Sequence, residues 1–317
     1  METVQLKKGK LEVSVNVFGA ESRDSLRFDG ACRVASIKYD GVRICRPEQI
    51  IKTRRTSNGY GLSYEWVMDE SSFGSKKDEY FPKLGVGLIR QDKDLEPYDI
   101  FKKYDVEFSD TCYKAASDKL VVTEKLKECC GISAELIWTV TLFENRISIK
   151  TEIKNTGNAP IKASQYGHNF VALDDALMGP GYKLTMHCLK DVKSLPIKSI
   201  RLTPEGLDES FTVLPFDMDK KSLSFTRALD NEAIFVSGGT DEIAYKDEQF
   251  DSSDDTCLPM WTLTYDKCPV TITGKASFAP ASFAIWGNEQ VICPELFKRI
   301  DIAPGETDSF IREYEFS

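Results

Sequence analysis

The segment Arg146 to Lys154 reads RISIKTEIK, and its apolar and polar residues alternate with a period of two. Only an extended strand puts Ile147, Ile149, Thr151 and Ile153 on one face. The same alternation returns along most of the chain. Leu11 to Phe18 (LEVSVNVF) has it, and so does Ala31 to Tyr39, which ends in the hairpin-turn pair Asp40-Gly41 before Val42 to Cys45. Further strand-like runs are Gly59–Met68, Lys83–Ile89, Tyr104–Phe108, Leu120–Lys127, Ile132–Phe143, Ile161–Ala172, Ala233–Val236, Trp261–Tyr265, Val270–Thr273, Ser282–Trp286 and Phe310–Phe316. Arg146–Lys154 and Ile161–Ala172, joined by NTGNAP, make the clearest predicted hairpin. Helical periodicity is almost absent; Pro47–Lys52 and Tyr98–Lys103 have room for one turn each. From Gly179 to Leu229 the alternation weakens and turn residues gather. Many short strands without a strand–helix–strand rhythm predict an all-β sandwich or barrel-like assembly. With no linker, repeat or low-complexity tract, residues 1–317 read as a single domain.

Charge and cysteine usage narrow the function. The 41 basic and 50 acidic residues leave a formal net charge of −9. Nucleic acids and anionic membranes need a basic face, so neither is an expected partner. The start lacks the apolar core of a signal peptide and no stretch suits a transmembrane helix, so a cytoplasmic location is expected. Nine cysteines are scattered without a CxxC pair, which predicts reduced thiols and no metal site. Cys129 and Cys130, as neighbours on a strand, would point to opposite faces. The acidic run DSSDDT (Asp251–Thr256) lacks calcium-loop spacing, and the GVG after Lys83 lacks the third glycine of a dinucleotide fingerprint. No cofactor is expected.

Titratable groups useful near neutral pH are scarce. The chain has two histidines, His168 and His187. His168 follows a well-formed alternating run, in which Tyr166, His168, Phe170 and Ala172 share a face. A half-buried histidine bonded to a backbone carbonyl is the plain alternative. Glu295 follows Val291-Ile292-Cys293 and Pro294, where a strand leaves the core, so the scaffold can position it.

Two separated pieces, about 64 residues together, carry a family resemblance. WTVTLFENRISIKTEIKNTGNAPIKASQYGHNF resembles the strand–turn–strand unit of aldose 1-epimerases (galactose mutarotases), which ends in a histidine. Trp286 to Phe316, WGNEQVICPELFKRIDIAPGETDSFIREYEF, resembles the family ending, with a glutamate before a Pro-Gly-Glu turn and a final aromatic strand. The resemblance implies a β-supersandwich, with large antiparallel sheets and a concave sugar cleft. It places His168 as catalytic acid and Glu295 as catalytic base. The first half contains no histidine, where typical galactose mutarotases carry one, so the substrate is not carried over from galactose.

Mutarotation needs a base for the C1 hydroxyl proton and an acid for the ring oxygen, and neither a metal nor a redox cofactor. Ordinary pKa values of about 4.3 and 6.5 suit glutamate and histidine to this. Arg54 or Arg55, Lys83, Asp230 and Trp261 are candidate substrate contacts: guanidinium and ammonium groups for hydroxyls or phosphate, a carboxylate for hydroxyls, an indole for stacking. Trp66 and Trp286 are further platforms, although strand tryptophans usually belong to the core. The expected function is anomer interconversion of a free sugar or sugar derivative by a monomer or homodimer. The alternatives are a non-catalytic carbohydrate-binding or sensing protein on the same fold, or a glycoside hydrolase or lyase with Asp174 as a second acid.

Overall fold

The computed structural model describes residues 2–17, 26–48, 59–68, 76–94, 98–100, 102–203, 206–208, 214–250 and 255–317. The described chain is almost entirely antiparallel β structure in two large sheets and one small one. In spatial order the first sheet holds β1 (Glu2–Lys8), β2 (Leu11–Val17), β3 (Cys32–Tyr39), β5 (Leu62–Met68), β13 (Ile161–Asn169), β23 (Ile292–Ile302), β22 (Ser282–Gly287), β19 (Glu232–Gly238), β15 (Lys198–Thr203) and β16 (Gly206–Asp208), with β4 (Val42–Arg43) beside β3. The second holds β17 (Phe216–Met218), β18 (Ser222–Phe225), β14 (Tyr182–Met186), β20 (Leu258–Tyr265), β21 (Ile272–Ala276), β24 (Thr307–Phe316), β12 (Arg146–Asn155), β11 (Ile132–Leu142), β10 (Lys119–Cys129) and β9 (Asp110–Ala115). The small sheet is β6 (Tyr80–Lys83), β7 (Gly87–Arg90) and β8 (Val106–Phe108).

The alternation seen in the sequence becomes burial. Along β11 every second residue from Ile132 to Leu142 is buried, and along β12 Ile147, Ile149, Thr151 and Ile153 are buried. These faces, with those of β2, β3 and β13, form one core between the two large sheets. Fully burying each such side chain contributes about 1.5–3 kcal/mol.

The clearest predicted hairpin is not one. β12 pairs with β11 and β24 in the second sheet, whereas β13 pairs with β5 and β23 in the first. Residues 156–160 therefore cross from sheet to sheet as an arch. β23 and β24 make a second arch beside it, because β23 pairs with β13 and β24 with β12. Alternation identifies a strand but not its neighbour, and both connections have the same pattern. Asn155 clasps the two arches: its side-chain amide donates to the carbonyls of Ala159 (2.9 Å) and Ile302 (3.0 Å), and its backbone N–H donates to Glu306 O at 2.9 Å.

Other expectations also change. Lys83–Ile89 is not one strand but the end of β6, a turn and the start of β7. Gly85 (φ +75°) and Gly87 (φ +141°) there adopt backbone values that favour glycine. The nine cysteines are free. Cys129 and Cys130 do not point apart: the β10–β11 turn puts Cys130 at φ +56° and brings the two Sγ atoms to 3.7 Å. The described part of Tyr98–Lys103 holds one turn, closed by Lys102 N–H to Asp99 O at 3.0 Å. Of Pro47–Lys52, residues 49–52 lie outside the described residues. Among the described residues no helix is long and apolar enough to cross a membrane.

Candidate active site

The two arches set the site. The β13–β23 ladder runs from Ile161↔Ile302 to Tyr166↔Phe297. Two residues further in the same register, His168 faces Glu295. Nε2 of His168 and Oε1 of Glu295 approach to 3.1 Å. The contact is close but is not aligned as a hydrogen bond, and both His168 Nδ1 and Glu295 Oε1 lack a hydrogen-bond partner among the described residues. Only 3% of His168 and 5% of Glu295 is exposed. The sequence pieces that carry the family resemblance are therefore neighbours in space, with the pair at their junction.

Aromatic side chains enclose the imidazole. It stacks on Phe170 at 4.2 Å between ring centroids, and Phe28 and Trp286 present edges at 5.6 Å each. The close approach needs Gly59, where a Cβ would come within 1.9 Å of the Phe170 ring. This apolar wall decides the electrostatics. Burial, followed by the charge of Arg27, holds the His168 imidazolium well below its usual range. Burial pushes the Glu295 carboxyl up to about 8; Arg27 opposes that rise, and Glu65 and Glu48 reinforce it. At neutral pH the pair thus holds one movable proton, at rest on Glu295 beside a neutral imidazole.

The second sheet supports the pair from below. Arg312 Nη2 donates to Gln165 O (3.2 Å) and Leu296 O (3.4 Å), one carbonyl on each strand. Asn169 Nδ2 donates to Pro294 O at 2.7 Å, and Tyr314 Oη donates to Asn169 Oδ1 at 2.7 Å. Pro294 has no N–H for a ladder bond, so these side chains hold the register where the ladder stops.

On the same face as His168, two residues along the strands from the pair, lies a buried charged group. Arg27 Nε donates to Glu65 Oε2 and Arg27 Nη2 to Tyr166 Oη, both at 2.8 Å, and Tyr166 Oη donates to Glu65. Burial and then Glu65 hold the Tyr166 hydroxyl well above its usual range, so the phenol keeps its proton. Lys83 is 4% exposed, donates to Trp66 O at 3.1 Å, and stands 4.0 Å from Glu65 Oε1.

The structure places the other expected site residues as follows. Lys83 joins the Arg27–Glu65 group on the face of the pair. Arg54 and Arg55 lie outside the described residues. Asp230 is exposed in the β18–β19 turn, bonded to Asn231. Trp261 is a correction: it lies in the second sheet, 2% exposed, its indole against Gly274, and so it is core rather than platform. Trp66 is also core, whereas half-buried Trp286 stands beside His168. Asp174 is exposed in the loop after β13. His187 Nε2 meets Thr262 Oγ1 at 2.8 Å, away from the β13–β23 junction. The sequence reading missed Arg27, Phe28 and Glu65. Glu65 carried a signal, a lone carboxylate inside the aromatic run LSYEW; Arg27 carried none, because its partners are distant in sequence.

No protein-family model matches the chain, and no curated protein matches it. Solved structures do. A galactose mutarotase-like protein from Lactobacillus casei aligns over 100% of this chain and 100% of its own, with a TM-score of 0.52 and 13% identity. The chain has the galactose mutarotase-like fold. A second galactose mutarotase-like protein, from Clostridium acetobutylicum, covers 99% of this chain and 95% of its own, with a TM-score of 0.55 and 14% identity. A GalM/aldose epimerase homologue from C. elegans covers 100% and 98%, with a TM-score of 0.50 and 10% identity. At such identities the likeness concerns the mutarotase-like fold and not the reaction.

Proposed function

We propose that this mutarotase-like chain is an aldose 1-epimerase acting on a free sugar or sugar derivative, with His168 and Glu295 as its acid–base pair. The observation that carries the reading is their 3.1 Å juxtaposition in an apolar enclosure, on two strands whose register a buried clamp maintains. In the working state the carboxylate of Glu295 takes the C1 hydroxyl proton while the imidazolium of His168 gives one to the ring oxygen. The C1–O5 bond breaks to an open-chain aldehyde, rotation about C1–C2 presents the other carbonyl face, and the reverse transfers close the ring. The carboxylate–imidazolium form has the same number of protons as the resting carboxylic acid–imidazole form, so one proton count serves both. Each group can contribute about 10²–10⁴ in rate.

The same proton count gives the test. Polarimetry on a panel of aldoses, uronates and sugar phosphates should find at least one whose anomers interconvert faster than in buffer. Its kcat/KM should fall above about pH 8, where the pair loses its shared proton. A rate that is flat from pH 7 to 10 contradicts the assignment. The deep burial of both groups favours a second reading, a non-catalytic sugar-binding protein, which predicts saturable binding and no anomer conversion.

A further inference from the structure

The cavity of about 330 Å³ beside the pair, with Arg27, Glu65, Lys83, Tyr98, Tyr166 and Phe297 in its wall, belongs to the site already described. An independent feature lies at the β10–β11 turn, where two cysteines follow each other. Cys129 pairs with Ile132, so the turn has two central residues, Cys130 and Gly131. Both have positive φ, +56° and +81°, as the two-residue turns that match the twist of the strands require. The first of these positions suits Asn, Asp or Gly, and a cysteine is disfavoured there. The turn itself therefore does not account for Cys130. The strand register shifts between Leu126 and Cys129, and the two cysteine side chains come together, with their Sγ atoms 3.7 Å apart. Hydrogen bonds fix this arrangement. Gly131 O accepts from the N–H groups of Asn158 and Ala159, each at 2.9 Å, and Gly131 N–H donates to Glu128 Oε1 at 2.7 Å. Cys129 is half-buried and its Sγ donates to Tyr80 O at 3.2 Å, whereas Cys130 is exposed. Among the described residues no third His, Cys, Asp or Glu joins the pair as a metal site would need, which leaves thiol–disulfide chemistry.

We propose that Cys129 and Cys130 are a reversible redox-modification site, which a low-molecular-weight disulfide such as oxidised glutathione converts to a vicinal disulfide. The exposed Cys130 acts first. Its thiolate attacks one sulfur of the small disulfide, whose S–S bond breaks and releases one thiolate. The Cys129 thiolate then attacks Cys130 Sγ. The Cys129–Cys130 bond forms, the mixed disulfide breaks, and the second small thiolate leaves. Each released thiolate takes up a proton that a cysteine gave up, so the cysteines lose two electrons and the small disulfide gains two. Burial, with Cys130 beside it, holds the Cys129 thiol above its usual range, which keeps it from attacking first. In the mixed disulfide Cys130 carries no charge to oppose ionisation of Cys129. Adjacent Cα atoms lie about 3.8 Å apart, below the usual disulfide span of about 4.4–6.8 Å. The product is therefore strained and readily reduced. Closure also withdraws the Cys129 S–H from Tyr80 O, at the first residue of β6. The inference does not depend on the reading of His168 and Glu295.

Mass spectrometry on the folded full chain tests it. The protein is incubated with reduced and oxidised glutathione in varied ratio, quenched with acid, alkylated and digested with trypsin. The tryptic peptide of residues 128–146 contains no other cysteine. As the oxidised share rises, this peptide should convert to a form that has lost two hydrogens and carries no glutathione, and dithiothreitol should restore it. Cys129→Ser removes the second thiol and should trap one glutathione on Cys130; if that variant does not fold, the wild-type peptide decides alone. A wild-type peptide that stays reduced at every ratio, one that accumulates glutathione without closing, or a folded Cys129→Ser that takes up no glutathione overturns the proposal.

Discussion

At the level of single residues, Glu295 links function to stability. Its carboxyl is raised to about 8 by burial, so between the usual carboxylate range and pH 8 the folded state binds more protons than the unfolded one. Stability therefore falls as pH rises through that window and levels off above it. His168 acts on the other side: its folded value lies below 6.5, so it costs stability only as pH falls below 6.5. From pH 6.5 to 8 the slope due to this pair belongs to Glu295 alone. Urea unfolding of wild type against Glu295→Gln should show a decline in the wild type across that window that the variant lacks; parallel curves would contradict the assignment. Gly59 offers a second test. An added Cβ meets the Phe170 ring on which His168 stacks, so Gly59→Ala should destabilise the fold by about 1–3 kcal/mol through overpacking. An unchanged denaturation midpoint would show that the enclosure yields without cost. His168 and Glu295 were legible through the resemblance of the two pieces that hold them; the apolar runs they follow would alone suit an ordinary half-buried histidine and a scaffold-held carboxylate. Arg27 was not, because its partners Glu65 and Tyr166 are 38 and 139 residues away.

Strands were more legible than their pairing. The alternation of β10 to β13 located them within a few residues, yet β12 and β13 belong to different sheets. Periodicity reports which side chains share a face, and hairpins and arches share that property. The five strands from β14 to β18 have only three to six residues each, too few to display a period, and the sequence there reads as turns. The arches depend on Asn155, which is buried and accepts from Gly157 N–H at 3.0 Å besides donating twice through its amide. Asn155→Ala leaves buried carbonyls without donors and should cost about 2–4 kcal/mol. Chemical denaturation measures this directly, and a loss below about 0.5 kcal/mol would show that water replaces the clasp fully. Because the arches carry His168 and Glu295, the same variant should slow any sugar conversion, whereas changes on the distant strand β9 should not.

The whole molecule brings together residues 127 positions apart by stacking two arches across one core, and the class of fold was legible from alternation and the lack of helical period. The candidate site was only half legible: His168 and Glu295, the proposed acid and base, lie in strands with strong patterns, while the charged cavity beside them is assembled from β5, β6, β13 and the segment holding Arg27. Composition could not reveal that cavity, since its lining side chains come from segments far apart in the sequence. The account stands on the His168–Glu295 pair, and its most direct test is the anomerisation rate of Glu295→Gln against wild type, followed by polarimetry with the best sugar of the panel at pH 7. A drop of about 10²–10⁴ in kcat, with the variant folded and still binding that sugar, is the predicted result. A folded variant that converts the sugar at the wild-type rate would contradict it.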